Sequence, residues 1–204
     1  RDDLYENFFI RMLRGSGIRG LTSFSSQDTF INKSLKGYRP FLNISKKTLL
    51  KVTNKVFDYY IDDPSNSNDQ FLRIRVRNLL KSLQNEGFDK KKFDLTYCNL
   101  HSANQTLKYY SDQNISKNTN YFSKNLKDTV VINQKFFNQP DEIVLRSLSN
   151  LISKTNTKYY YPRGKSLIKK ISEIRDNSFK KTTLGGCIIE RVNNTTLIYP
   201  ENIK

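Results

Sequence analysis

Apolar side chains recur at helical spacing from the head of the chain. Leu4, Phe8, Phe9, Met12 and Leu13 trace one stripe over residues 2–14, and Gly15-Ser16-Gly17 ends it. Residues 22–37, rich in Ser, Asn and Lys, read as a loop. Arg39-Pro40-Phe41 should re-enter structure in an extended conformation, because the residue before a proline avoids the helical region. Ser45 is a good N-cap for a second helix that carries Leu49, Leu50, Val52 and Val56. Asp62-Asp63-Pro64-Ser65-Asn66 predicts a turn. A third helix follows from about Asp69, with Phe71, Ile74, Leu79 and Leu83 on or near its buried side.

The stretch from Gln84 to Phe93 contains Gly87 and three consecutive lysines, Lys90 to Lys92. It divides the chain into a domain over 1–83, a linker over 84–93 and a second domain over 94–204. In the second domain, 94–112 and 140–154 pattern as helices. Leu95, Cys98 and Leu107 mark the first; Ile143, Leu145, Leu148, Leu151 and Ile152 mark the second. Between them Thr129–Asn133 is a short apolar run, a strand or a buried turn. Pro162-Arg163 opens a further helix through Ile174. The period then changes: Thr183–Val192 and Thr195–Tyr199 flank Asn193-Asn194, which reads as a β-hairpin. The chain is therefore mainly α-helical with a C-terminal β-hairpin, and it has no internal repeat.

Composition sharpens this picture. Hydrophobic residues make up 36% of the 204, and 13 Phe and 12 Tyr supply much of that fraction, so two small cores suit the chain better than one large one. Thirty-five Lys and Arg oppose 19 Asp and Glu, a formal +16. Residues 1–82 hold 15 basic and 8 acidic side chains (+7), which leaves 20 and 11 (+9) for the remainder. The excess is spread along the chain and is no basic tail, which suits a surface that follows a polyanion. An AT-rich genome would also enrich Lys, Asn, Ile and Tyr. Cys98 and Cys187 form no CxxC pair, so a zinc knuckle is not expected and a reducing compartment fits. No signal peptide is visible, and no apolar run approaches the ~18 residues of a membrane span.

Three groups of residues can carry chemistry. Asp2-Asp3-Leu4-Tyr5-Glu6-Asn7 heads the first helix. Asp3 and Glu6, three apart, share a face roughly opposite Phe8 and Met12. Such carboxylates can bind Mg²⁺ or an ammonium group, and helix-dipole stabilisation would select them as well. Next, Arg11, Arg14 and Arg19 surround the Gly-rich turn at 15–17. It can serve as a C-cap or as a phosphate contact. Last, Arg73 and Arg77 stack one helical turn apart while Arg75 points elsewhere. Aligned guanidinium groups suit a phosphate ligand, though alternating Arg can also form a solvated helix face. The only histidine, His101, reads as a surface or packing residue.

In order along the chain, these groups resemble the tRNA(Ile)-lysidine synthetase family. Its HxxDDxxET, RGSGxxGL, RPL, DPSN and RNxIR segments are matched by Asp2-Asp3 with Glu6, Arg14-Gly15-Ser16-Gly17 with Gly20-Leu21, Arg39-Pro40, Asp63-Pro64-Ser65-Asn66, and Arg73 with Arg77. The likeness is dense over 2–83. Beyond that it rests on Thr183-Leu184-Gly185-Gly186-Cys187 and the helical character before it. Asn7 stands for the usual Thr, Phe41 for Leu and Ile74 for Asn. The family's SGGxDS loop, which cradles the ATP pyrophosphate, lies upstream of the DD segment and is not within these 204 residues.

The resemblance implies the end of an adenine-nucleotide α-hydrolase-like domain, α/β in the parent enzyme, followed by a helical tRNA-binding domain. It implies ATP with Mg²⁺, free L-lysine and a tRNA(Ile) with a CAU anticodon as ligands, in the cytoplasm, with assembly as a homodimer left open. ATP would adenylate the wobble cytidine, and the lysine ε-amine would displace AMP to give lysidine. Asp3, Glu6 and Arg73 would bind lysine, and Arg14 and Arg77 are candidates for ATP or phosphate. Lys90, Lys91, Lys92, Lys169, Lys170, Lys180 and Lys181 are candidates for tRNA phosphates, and Tyr159-Tyr160-Tyr161 for base stacking. No residue stands out as the catalytic base. The stretch alone is not expected to make lysidine. The alternatives are a tRNA-thiolating relative of the same fold and a non-catalytic basic tRNA-binding relative.

Overall fold

In the computed structural model, the described residues are 2–24, 29–32, 35–37, 39–42, 44–61, 70–122, 129–156, 162, 164–176 and 178–201. They form two compact units, divided between Asn104 and Gln105.

The first unit is built on two helices, α1 (Asp2–Leu13) and α4 (Leu72–Asn85), which pack on each other. On α4, Leu72, Val76 and Leu80 fall at i, i+4 and i+8, so they lie on one stripe. That stripe enters a core with Leu4, Tyr5 and Phe8 of α1 and with Phe93. The predicted stripes agree with this at Leu4, Phe8 and Ile74 and differ elsewhere. Met12 and Leu13 of α1 are exposed, as are Phe71 and Leu79, and the buried residues of α4 are Ile74, Val76 and Leu80. Phe71 is displaced because it is the N-cap, outside the helix that Leu72 begins.

The core of this unit is largely aromatic. Phe93 meets the rings of Tyr5 and Phe8 edge-on, with centroids 5.1 and 4.9 Å away. Edge-to-face geometry sets a ring's positive rim on its neighbour's negative face. This pull also explains why 84–93 is not a free linker: it is the end of α4, a short turn at Gly87, and the first turn of α5 (Lys90–Asn118). Phe88 and Phe93, inside the expected linker, belong to the core. Asp89 starts α5 by accepting the Lys91 N–H at 2.7 Å.

Shorter elements complete the unit. After α1, one turn of helix, α2 (Ile18–Leu21), follows the Gly15 turn. The expected loop at 22–37 contains an antiparallel pair, β1 (Thr29–Asn32) and β2 (Leu35–Gly37). Residues 40–42 turn instead of extending, with the Leu42 N–H reaching the Arg39 carbonyl at 3.4 Å. The helix expected at Ser45 is α3 (Lys46–Phe57), and the Ser45 hydroxyl accepts the Thr48 N–H at 3.1 Å. None of its residues is buried. The turn at 62–66 lies outside the described residues.

The second unit is a five-stranded antiparallel sheet, β3 (Thr119–Phe122), β4 (Thr129–Asn133), β5 (Lys181–Leu184), β6 (Cys187–Val192) and β7 (Thr195–Pro200), in the order β3-β4-β7-β6-β5. Its covering helices are α6 (Asp141–Thr155) and α7 (Gly164–Arg175). The predicted hairpin is present with Val192 paired to Thr195, and Asn193 takes the left-handed conformation such a turn needs. The hairpin is one corner of a larger sheet, because β5 and β6 form a second hairpin around Gly185-Gly186. Alternate residues Val130, Ile132, Cys187, Ile189 and Ile198 point to one face. They bury with Leu148, Leu151 and Ile152 of α6 and Leu167, Ile171 and Ile174 of α7. Helix α5 extends beyond the predicted 94–112 at both ends and runs directly into β3.

Both glycines of the second hairpin have positive φ, 63° at Gly185 and 75° at Gly186. A Cβ on Gly186 would lie 2.3 Å from the Asn156 amide nitrogen, which donates to the Gly185 carbonyl. The Gly-Gly pair of the Thr183–Cys187 motif is thus required by the turn and by the end of α6 pressed against it.

Candidate functional site

The site grows from two adjoining stripes on α4. Beside the core stripe at 72, 76 and 80 runs a basic one at Arg73, Arg77 and Lys81. On α1, Asp3 and Glu6, in the first turns, face this basic stripe. Arg73 Nη2 lies 2.5 Å from Asp3 Oδ1, and Arg73 Nε lies 2.7 Å from Glu6 Oε2. Arg77 Nε meets the other Glu6 oxygen at 2.8 Å. Glu6 is 3% exposed, so one buried carboxylate is shared by two guanidinium groups. Its hydrogen bond, joined by the charges of Asp3 and Glu6, holds Arg73 above its already high ordinary pKa.

Asp2 ties in two further elements. Its Oδ2 accepts the Lys46 N–H from the start of α3 at 3.4 Å, and its Oδ1 takes the Lys90 ammonium at 3.3 Å. Burial pushes the Asp2 carboxyl up. The Lys46 N–H and the Lys90 charge outweigh that and hold it below the ordinary carboxylate range. The Lys90 ammonium also sits 5.5 Å from the centre of the Tyr5 ring.

These groups wall a cavity of about 670 Å³. Arg39, Lys46, Arg73, Arg77, Lys81 and Lys90 line it against Asp2, Asp3 and Glu6, a formal excess of three positive charges. Phe24, Phe41, Leu42, Ile44, Leu49, Leu80 and Phe88 supply apolar lining. The Arg39 guanidinium lies 4.7 Å from the centre of the Phe24 ring. A cavity lined by both apolar and charged groups, with positive charge in excess, suits a small ligand with a negative end. Asp3 and Glu6 are answered by guanidinium groups. Among the described residues no group of three or more His, Cys, Asp or Glu could hold a metal ion.

Asp3, Glu6, Arg73 and Arg77, singled out in the sequence, therefore come together. Arg14 sits on the exposed turn after α1 and does not line the cavity. Lys90 parts from its neighbours, turned to Asp2 while Lys91 and Lys92 are exposed. In the second unit Lys169 and Lys180 are exposed, Lys170 pairs with Glu173 at 2.6 Å and Lys181 with Glu190 at 3.6 Å. His101 stacks on Tyr97 with centroids 6.5 Å apart. Tyr159-Tyr160-Tyr161 lies outside the described residues. The sequence reading missed Tyr5, Lys46 and Lys81 as cavity residues. For Lys81 a signal existed, since it continues the i, i+4 series of Arg73 and Arg77.

Residues 1–83 match the PP-loop domain family. The chain is 30% identical over 203 residues to the tRNA(Ile)-lysidine synthase of Wolbachia pipientis wMel, covering 99% of this chain and 46% of that protein. It is 33% identical over 217 residues to that of Orientia tsutsugamushi (strain Boryong), covering 98% of this chain and 46% of the relative. The chain thus spans about half the length of the curated relatives it matches.

Proposed function

Taking as premise a chain whose residues 1–83 match the PP-loop domain family and which is similar along its whole length to tRNA(Ile)-lysidine synthases, we propose that it is the lysine-holding, tRNA-docking part of an ATP-dependent tRNA-modifying ligase. The reaction joins L-lysine to the wobble cytidine of the CAU anticodon of tRNA(Ile). Adenylation by ATP makes the cytosine C2 oxygen a leaving group. The neutral lysine ε-amine then forms the C2–N bond, the C2–O bond to AMP breaks, and the nitrogen loses its proton.

The single observation that carries this reading is the Asp3–Arg73–Glu6–Arg77 network on the wall of a cationic cavity. It sets negative and positive groups side by side, as an amino acid with both an ammonium and a carboxylate requires. Asp3, Glu6 and Arg73 form the lysine site. Arg77 and Lys90 are the groups best placed for an anion, whether a carboxylate or the phosphate of ATP or AMP. These residues fit a phosphate. The acids that line the cavity, Asp2, Asp3 and Glu6, are each engaged by a cation or an N–H and give no support to an Mg²⁺ site of their own.

Lys91, Lys92, Lys169, Lys170, Lys180 and Lys181 are candidates for tRNA phosphates, and each is within reach of solvent. No helix among the described residues is long and apolar enough to cross a membrane, which is compatible with a cytoplasmic tRNA enzyme. Isothermal titration with L-lysine tests the reading. Saturable binding by the wild-type chain, lost in Arg73→Ala with tRNA affinity unchanged, is expected. Absence of lysine binding in the wild type, with tRNA binding intact, would favour a non-catalytic tRNA-binding relative.

A further inference from the structure

Phe24 and Arg39 bring a different pair of segments to the cavity, both beyond α2. The Phe24 ring carries the Arg39 guanidinium on its face, 4.7 Å from the ring centre. A guanidinium laid on a ring presents its N–H donors at the edge, in its own plane. Phe24 is in turn held through its backbone. The Tyr97 hydroxyl, from α5, donates to the Phe24 carbonyl at 2.7 Å and lies 3.3 Å from the Thr22 carbonyl. Chain that leaves a helix has carbonyls without a helical partner, and here the phenol supplies the donor. Thr22 is anchored as well: it is 3% exposed, and its hydroxyl donates to the Ile18 carbonyl at 2.8 Å. The Tyr97 ring packs beside Phe8, Phe93 and His101, with centroids 6.3, 6.5 and 6.5 Å away. Burial pushes its phenol up, so the hydroxyl stays a donor at neutral pH. Tyr97 itself does not line the cavity.

We propose that Tyr97 is a positioning residue: through the Phe24 carbonyl it sets the ring on which Arg39 rests, and so aims that guanidinium at a phosphate group of a substrate. The inference rests on the ligase reading above. Six cationic side chains line the cavity against three carboxylates. Bound lysine, itself net positive, adds to that excess and cannot answer it. A further ligand group must be anionic, and phosphate is what the other two substrates, ATP and tRNA, both carry. Planar N–H donors on a guanidinium meet phosphate oxygens in pairs. Small errors in the angle of the plane therefore weaken the contact, which is why a hydroxyl outside the cavity can matter to affinity.

The test is a double-mutant cycle of Tyr97→Phe and Arg39→Ala in the protein as the cell makes it. Phenylalanine keeps the ring contacts and removes only the hydroxyl. Titration with tripolyphosphate gives a binding readout, and KM for ATP, L-lysine and tRNA gives a kinetic one. Tyr97→Phe should weaken tripolyphosphate by roughly two- to tenfold, the scale of one neutral hydrogen bond. It should raise the KM of a phosphate-bearing substrate by a similar factor and leave that of lysine unchanged. A raised KM for ATP assigns the phosphate to the nucleotide, and a raised KM for tRNA assigns it to the nucleic-acid backbone. In Arg39→Ala the added Tyr97→Phe should change nothing further, because the hydroxyl acts through that guanidinium. Equal losses with and without Arg39 would overturn the proposal and leave Tyr97 a structural residue. Unchanged tripolyphosphate affinity in folded Tyr97→Phe, or a KM effect confined to lysine, would overturn it too. If Tyr97→Phe does not fold, Phe24→Leu removes the ring under Arg39 and keeps an apolar side chain. It should weaken tripolyphosphate only where Arg39 is present, and an equal loss without Arg39 counts against the proposal. Absence of lysidine formation by the wild type would instead remove the ligase reading, while the tripolyphosphate cycle still decides whether Tyr97 acts through Arg39.

Discussion

Removing Arg73 should cost the fold less than its two ion pairs suggest, and removing Arg77 as well should cost more than the sum. In Arg73→Ala the exposed Asp3 returns to water, and such pairs contribute ~0–1 kcal/mol. Glu6 keeps its 2.8 Å bond from Arg77. The Arg73 side chain is itself 51% exposed, so solvent already screens the lost pair. Its loss there should be about 1 kcal/mol. Together these give a destabilisation of roughly 1–2 kcal/mol, and Arg77→Ala should fall in the same range. The double variant strands a buried carboxylate, for which removal of all partners costs roughly 3–5 kcal/mol. It should therefore exceed the sum of the singles by about 1–2 kcal/mol. The assay is amide-hydrogen exchange of peptides from α1 and α4, because two separate cores need not unfold in one transition. Additivity within about 0.5 kcal/mol would refute the reasoning. It would mean that Glu6 finds water or another partner and is not held by the two arginines.

Three further outcomes are expected. Gly186→Ala should destabilise the second unit by ~1–3 kcal/mol, because its backbone has φ 75° and the new Cβ would meet Asn156; an unchanged melting temperature would contradict this. Asp2, whose carboxyl is held below its ordinary range, stabilises the fold above that range and loses the contribution as pH falls through its folded value. The stability gap between wild type and Asp2→Asn, measured by exchange of the α1 and α5 peptides, should thus be full near neutrality and close in acid below about pH 4. Replacing Lys180 and Lys181 with Ala should lower the slope of log affinity for tRNA against log salt by about 1 to 2, and an unchanged slope would remove them as phosphate contacts.

Local chemistry was the most legible part of the sequence. Ser45 caps α3, Gly15 stops α1 and Asn193-Asn194 turns a hairpin, since each acts within a few residues of itself. What was not legible depends on partners distant in the chain. Glu6 looks like a surface acid at a helix head, and only the packing of α4, about seventy residues on, buries it between two arginines. The lysines at 90–92 read as a linker because three like charges suggest solvent. Phe88 and Phe93 on either side override that, and Asp89 caps the helix they begin. The same holds for β3 and β5, short strands with one or no buried side chain, which borrow their order from β4 and β6.

On the proposed function, this chain serves a ligase that attaches lysine to a tRNA cytidine. The most direct measurement incubates the protein as the cell makes it with tRNA(Ile) bearing a CAU anticodon, ATP and L-lysine, and then weighs the wobble nucleoside. The account predicts a cytidine heavier by one lysine less one water, formed only with ATP and lost in Arg73→Ala. An unmodified cytidine, or the same product from Arg73→Ala at wild-type rate, would contradict it.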